Sequence, residues 1–209
     1  RIDWHNGFLR QLFGLVSRED ARAYKRLNRH LLDSIQKVTG SSIVLDSSKY
    51  AGRALALYRI MEADVSVICL TRSPIGLMTS FQKPNKDEQK SKSPLSILVY
   101  YVITLGSLRV ACWLLGNSVL PLRYEDMLDD PQGILERIEK WSGMDLKESK
   151  RAVEGNKPFD VGHIITGNRL RYQGKVIFER SCNHESRLRG LGERLALRLM
   201  GLWKNLLHF

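Results

Sequence analysis

Two short polar segments carry residues that could bind and react with an anionic substrate. The first, residues 46–49 (DSSK), follows the apolar run 42–45, and the second, residues 71–73 (TRS), follows the apolar run 65–70. Short apolar runs of this kind are typical of buried strands. Because ligands bind parallel sheets at the carboxyl ends of the strands, the sequence predicts a ligand site where these two strands end.

Arg72 lies between the second strand and a helix that Ser73 is predicted to cap and Pro74 to begin. Free N–H groups and the partial positive charge of a helix N-terminus favour an anion there. The guanidinium group could add two charge-assisted hydrogen bonds to a phosphate. Ser80 lies about 9 Å further along this helix, and spacing alone does not show that it shares a ligand with Arg72. A solvated arginine and a surface serine are the alternatives.

In the first segment, Asp46 and Lys49 offer a carboxylate and an ammonium group. Such a pair could abstract a proton and neutralise charge that develops on a transferred group. A turn in which Asp46 accepts hydrogen bonds from its own backbone is an equally open alternative.

A third polar segment, residues 163–175 (HIITGNRLRYQGK), places three cations around glycines that allow close backbone approach. It is either an ordered anion-binding loop or a mobile basic loop. His163 by itself favours a structural role.

Helices and strands alternate in the hydropathy pattern, which predicts an α/β fold with a central parallel sheet flanked by helices. The predicted helices are 17–40, 53–62, one starting at 74, 94–115, 131–141 and 185–207; the predicted strands are 42–45, 65–70 and 119–124. The segment 83–93 is predicted to be a polar loop, and 155–180 an irregular region.

Composition narrows the class of protein. The 209 residues carry a formal charge of +11, which favours anionic partners such as nucleic acid, acidic membranes or phosphorylated ligands. The length fits one domain. The three cysteines and five histidines show no zinc spacing, so no metal is predicted. Arg109 interrupts the apolar run 95–106 short of the length of a membrane span, so a buried core helix is expected there.

Four motifs together resemble the sulfotransferase family that uses 3′-phosphoadenosine 5′-phosphosulfate (PAPS). They are DSSK, VICLTRSPIGLMTS, LRYEDMLDDPQGILERIEKWSGM and GHIITGNRLRYQGK, in that order between residues 42 and 180. The likeness is greatest to the bacterial branch with R-x-P-x₅-S and GN-x-x-R segments. The resemblance implies a fold similar to that of P-loop NTPases.

The resemblance also implies roles for individual residues at the nucleotide. Arg72 and Ser80 match the pair that binds the 3′-phosphate of PAPS. Arg171 matches the arginine that closes over the same phosphate, with Asn168 in support. The segment 123–126 (RYED) matches a part of the family with a mainly structural role.

For the reaction, the resemblance implies in-line transfer of a sulfuryl group to a hydroxyl or amine. Asp46 is the candidate base, and Lys49 is expected to stabilise bridging or sulfuryl oxygens. The family's basic, Gly/Ser-containing phosphosulfate loop has no counterpart before Asp46. The expectation is therefore a single, partial sulfotransferase-like domain over residues 1–209, without the first strand and that loop.

Two other functions stay open at this stage. A basic module that binds nucleic acid or anionic surfaces without catalysis would use the terminal helices, but aromatics are not interleaved with the cations as single-strand stacking requires. A nucleoside-phosphate kinase would need a Walker lysine, and the sequence contains no Walker motif that would supply it, which argues against a kinase. We expect a cytoplasmic enzyme with a small-molecule or carbohydrate acceptor, no metal, no membrane span and no nucleic acid. The identity of the acceptor and the oligomeric state stay open.

Overall fold

A computed structural model of the chain describes residues 2–3, 5–82, 92–160, 174–178 and 190–206. They fall into two compact units. The first comprises Arg1–Cys69, Phe81–Val119 and Leu188–Phe209, and the second comprises Leu70–Ser80 and Leu120–Arg187.

Helices dominate the described residues. In chain order the elements are α1 (His5–Leu12), α2 (Arg18–Thr39), α3 (Ala51–Arg59), β1 (Val67–Thr71), α4 (Pro74–Gln82), α5 (Pro94–Leu115), β2 (Val119–Arg123), α6 (Tyr124–Asp129), α7 (Pro131–Ser142), α8 (Lys147–Glu154), β3 (Phe159–Asp160), β4 (Lys175–Val176) and α9 (Leu191–Leu206). Helices α1, α6 and α8 had no counterpart in the sequence-based prediction.

Local signals set the ends of α2 as predicted. Ser17 accepts a hydrogen bond from the Asp20 N–H at 3.0 Å, which satisfies one of the unpaired donors of the first turn. Gly40 ends the helix with φ of 68°, a left-handed conformation that glycine adopts without steric cost.

The core of the first unit lies where α1, α3 and α5 meet. Its centre is a cluster of four buried residues: Phe8, Leu55, Ala111 and Leu115. Leu55 is fully buried, which stabilises the fold by about 1.5–3 kcal/mol relative to an exposed leucine. This cluster fixes α3, and with it the segment that precedes α3.

The long apolar helix α5 forms as predicted, but it is buried along one face only. Ile97, Tyr101 and Leu105 are buried at four-residue spacing, whereas Val99 and Ile103 are each 49% exposed. By length and composition alone, the stretch Pro94–Ser118 could cross a membrane: an 18-residue window within it has a mean hydropathy of 1.7, and only 22% of that window is buried. The helix was expected to be buried in the core. Instead it buries one face and exposes the other, although both faces are apolar in sequence.

Strands β1 and β2 pair in a small parallel sheet, which agrees with an α/β class at its coarsest. The predicted strand 42–45 is wrong: these residues carry no strand assignment, and Ile43 and Leu45 are 58% and 86% exposed. A strand exists only where a neighbour completes its hydrogen-bond ladder, and none does so here among the described residues.

In the second unit, short helices follow β2. Asp130 caps α7 by accepting the Gly133 N–H at 2.9 Å, and Gly143 ends it with φ of 71°. The region 155–180 was predicted to be irregular, but it contains the antiparallel pair β3–β4, in which Phe159 faces Val176.

Candidate functional site

The turn after β1 contains the predicted phosphate-binding residue Arg72. Thr71 donates a hydrogen bond to the Leu122 carbonyl at 3.2 Å, which joins the ends of β1 and β2. Ser73 Oγ accepts the Gly76 N–H at 3.2 Å, so Ser73 caps the first turn of α4 as predicted. The two strand ends and the start of α4 therefore form one local framework.

The Arg72 side chain contacts an aromatic ring and packs closely against a glycine. Its guanidinium carbon is 4.6 Å from the centroid of the Tyr124 ring, a cation–π contact. A Cβ added at Gly76 would lie 2.8 Å from Arg72 Nε and 3.4 Å from Arg72 Cγ. The absence of a side chain at position 76 is thus what allows the arginine to lie against α4.

Ser80 lies on the same face of α4 as Gly76, since residues four apart in a helix lie one above the other. Arg72 contacts that face one turn earlier, at Gly76. The structure therefore brings Arg72 and Ser80 to one face of α4. Ser80 is half-buried.

Glu125 also stabilises the turn after β1, through a hydrogen bond to its backbone. Its Oε1 accepts the Ser73 N–H at 2.8 Å, while its Oε2 is buried and has no hydrogen-bond partner among the described residues. Burial raises the pKa of Glu125, but the hydrogen bonds from Ser73 and from the Glu125 backbone, together with the charge of Arg123, lower it by more, so the pKa is lowered overall. The glutamate is therefore a carboxylate at neutral pH.

The N-terminus of α4 differs from the expectation in one respect. The sequence suggested free N–H groups beside Arg72, yet Glu125 and Ser73 Oγ already accept two of them, from Ser73 and Gly76. Pro74 has no N–H to offer. The guanidinium group of Arg72, rather than the backbone, is consequently the main candidate for an anion contact in this turn.

Asp46 belongs to the first unit, in the segment that precedes α3. Its Oδ1 accepts the Ser48 N–H at 2.9 Å and its Oδ2 accepts Arg53 Nε at 2.9 Å. Burial raises the pKa of Asp46, but the hydrogen bonds from Ser48 and from the Arg53 guanidinium together lower it by more. The pKa of Asp46 is therefore below its ordinary value. This is the local turn that the sequence left open as the alternative to a catalytic role. Lys49, three residues on, is exposed.

Arg53 organises the surroundings of Asp46. Its side chain is 12% exposed, and its NH1 donates to the Tyr24 hydroxyl at 2.7 Å and to Asn28 Oδ1 at 2.5 Å. The Tyr24 hydroxyl in turn donates to Asp3 Oδ1 at 2.6 Å. We call these five residues the Arg53 cluster: Asp3, Tyr24, Asn28, Asp46 and Arg53. The cluster attaches α2 to α3 and to the Asp46 turn.

Several residues of these sites were missed or given a lesser role from the sequence. Gly76 and Arg53 had no assigned role, and Tyr124 and Glu125 were expected only to position a strand and a helix. The position of Tyr124 and Glu125, directly after a strand that neighbours β1, was the available signal. The predicted ligands Asn168 and Arg171, like His163, lie outside the described residues.

Comparison of the chain with protein-family models, with curated proteins and with solved structures finds no match. The likeness to sulfotransferases therefore depends on the four sequence motifs alone.

Proposed function

We propose that the chain is a PAPS-dependent sulfotransferase, which transfers a sulfuryl group from 3′-phosphoadenosine 5′-phosphosulfate to a hydroxyl or amine. A small molecule or a carbohydrate is the proposed acceptor. The proposal includes the finer fold, a parallel sheet of the P-loop NTPase type, of which β1 and β2 would be two strands.

The observation that carries the proposal is the contact between two of the motifs. Arg72 comes from the R-x-P-x₅-S segment and Tyr124 from the RYED segment, and the guanidinium carbon lies 4.6 Å from the ring centroid. A guanidinium group over a ring keeps its N–H donors in the plane of the group, where they can bind a phosphate edge-on. The arrangement suits recognition of a compact dianion.

In this proposal the 3′-phosphate of PAPS lies along one face of α4. Arg72 would donate two hydrogen bonds and Ser80 a third from its hydroxyl. Gly76, between them, would leave room for both the arginine and the phosphate. Asn168 and Arg171 would complete the site, as the motif resemblance implies.

The transfer itself moves one sulfuryl group and one proton. The acceptor oxygen or nitrogen attacks the sulfur in line, and the bond from sulfur to the 5′-phosphate oxygen breaks, so that adenosine 3′,5′-bisphosphate leaves. Asp46 is the proposed proton acceptor. Its lowered pKa keeps it deprotonated at neutral pH, as a base must be, but also makes it a weaker base. Lys49 would neutralise charge on the transferred oxygens.

Calorimetric titration with adenosine 3′,5′-bisphosphate tests the phosphate site. A charge-assisted hydrogen bond contributes about 1.5–3 kcal/mol, so we expect Arg72→Ala to weaken binding by about 10- to 150-fold. Arg123→Ala is the matched control, because Arg123 also ends a strand, is half exposed and pairs with Asp126 at 3.7 Å. Its affinity should stay within about twofold of wild type.

Two results would contradict the proposal. One is an equal loss in both arginine variants, which would indicate general attraction of anions to a basic protein. The other is equal affinity of the folded wild-type chain for adenosine 3′,5′-bisphosphate and for adenosine 5′-phosphate, which would mean that the chain does not recognise the 3′-phosphate. A steep fall in affinity with salt would favour the binding module, because a surface that contacts many phosphates releases many counterions.

A further inference from the structure

Helices α5 and α9 present a continuous apolar surface to solvent. A groove of about 670 Å³ runs between them, lined by aliphatic side chains and Trp203. The lining residues that are most exposed are Val99, Ile103, Leu199, Leu202 and Leu206, and the exposed Leu95 lies one helical turn before Val99 on α5. We call these six residues the α5–α9 apolar surface.

The leucines of this surface are individually well exposed. Leu202 and Leu206 are 67% and 68% exposed, and Leu95 is 68% exposed. Contiguous apolar patches on a soluble protein mark contacts with another protein or a membrane. The charged residues beside the patch indicate which of these two partners it contacts.

The charges beside the surface favour an anionic partner. Arg194 and Arg198 are exposed and, at 100° per residue, lie on the strip of α9 next to its exposed leucines. The one acidic residue of α9, Glu193, accepts a hydrogen bond from Gln82 at 2.8 Å. A second copy of the chain would bring a charge of +11 against +11, which opposes association.

The orientation of α5 favours a contact with a membrane surface over a span. Ile97, Tyr101 and Leu105 are buried on one side of the helix, so lipid cannot surround it. Arg109 is exposed within the same helix. Helices with exposed leucines or tryptophan beside arginines lie in the plane of a bilayer interface and prefer anionic lipids.

We propose that the α5–α9 apolar surface docks on an anionic lipid bilayer. The exposed leucines enter the boundary between headgroups and acyl chains, and Arg194 and Arg198 contact the anionic headgroups. This interaction is separate from nucleotide binding and does not depend on the proposed reaction.

Vesicle co-sedimentation of the 209-residue chain tests the proposal. We expect binding to phosphatidylcholine vesicles that contain about 30 mol% phosphatidylserine, and little binding to phosphatidylcholine alone. The variant Leu202→Gln/Leu206→Gln should bind the anionic vesicles at least about tenfold more weakly, since two leucines lose their burial. Its matched control is Leu27→Gln/Val38→Gln on α2, which replaces residues that are 70% and 86% exposed and should keep wild-type binding.

A second pair of variants tests the charges. Arg194→Gln/Arg198→Gln should weaken binding to anionic vesicles by about 30-fold. Arg22→Gln/Arg26→Gln, on exposed positions of α2, makes the same change in net charge and should have a much smaller effect. Circular dichroism and urea midpoints show whether each variant is folded.

Several outcomes would overturn the proposal. These are no sedimentation of the wild-type chain, equal binding to neutral and anionic vesicles, or losses in the α2 controls as large as those in the α9 variants. A wild-type dimer in light scattering that Leu202→Gln/Leu206→Gln converts to a monomer would assign the surface to a second copy instead.

Discussion

The guanidinium carbon of Arg72 lies 4.6 Å from the centroid of the Tyr124 ring, so the residue after β1 and the first residue of α6 are in direct contact. The Ser73 N–H, next along the chain, donates to Glu125 at 2.8 Å. Two neighbouring pairs therefore join the same two turns. One orients a cation and the other fixes the backbone that carries it.

Tyr124→Leu should weaken binding of adenosine 3′,5′-bisphosphate by about two- to fivefold, because a partly exposed cation–π contact contributes about 0.5–1 kcal/mol. Tyr124→Phe keeps the ring and should bind like wild type. Calorimetry on the three proteins checks this. An equal loss of affinity in Tyr124→Phe would show that the hydroxyl, and not the ring, is responsible for the effect.

Glu125→Gln should have opposite effects on stability and on binding. The free energy of unfolding should fall by about 0.5–1.5 kcal/mol, since a neutral acceptor replaces a charged one at the Ser73 N–H. Affinity for the bisphosphate should rise about three- to tenfold, because a negative charge near the anion site is removed. Urea titration and calorimetry measure the two quantities, and a fall in affinity would contradict this account.

Gly76→Ala tests whether the missing side chain positions Arg72. Alanine in place of glycine within a helix ordinarily stabilises by about 0.5–1 kcal/mol. At Gly76 that gain should be offset, because the new Cβ would lie 2.8 Å from Arg72 Nε, and the affinity for the bisphosphate should fall.

The matched control is Gly201→Ala in α9, where nothing lies within 4 Å of the added Cβ. This variant should show the full gain in stability and unchanged binding. If Gly76→Ala gained as much stability and bound equally well, the arginine would not need the space at position 76.

Short-range signals made much of the helical structure predictable. Ser17, Gly40 and Gly143 mark helix ends through hydrogen bonds and left-handed backbone that depend on neighbouring residues only. The strand predicted at 42–45 failed because its apolar composition resembles that of β1, while the partner that a strand requires is a long-range property.

The candidate site was predictable in position but not in its contacts. The end of β1 was identified because helix starts and strand ends can be recognised locally. The contacts of Arg72 with Tyr124 and of Ser73 with Glu125 each span 52 positions in the sequence. The ion pair of Asp46 with Arg53 depends on how the segment before α3 places the carboxylate beside the helix, which residue type alone does not determine.

Acid should destabilise the protein through Glu125. The pKa of Glu125 is lowered in the folded state. The carboxylate's contribution to the free energy of unfolding is therefore fully present above the ordinary pKa of 4.5 and is lost as the pH falls through the lower pKa of the folded state. Urea unfolding of wild type and Glu125→Gln at neutral pH and at about pH 3.5 should show a smaller difference in acid. A difference that grew as the pH fell would contradict the sign.

Asp46→Asn and Arg53→Lys together distinguish catalysis by Asp46 from its role in the turn. Both variants weaken the ion pair at 2.9 Å between Arg53 Nε and Asp46 Oδ2, but only Asp46→Asn removes the proton acceptor. If Asp46 is the base, turnover should fall by about 10²-fold or more in Asp46→Asn and only slightly in Arg53→Lys, while both bind the bisphosphate normally. Equal losses of turnover, with equal losses of stability in urea, would restrict Asp46 to holding the turn that precedes α3.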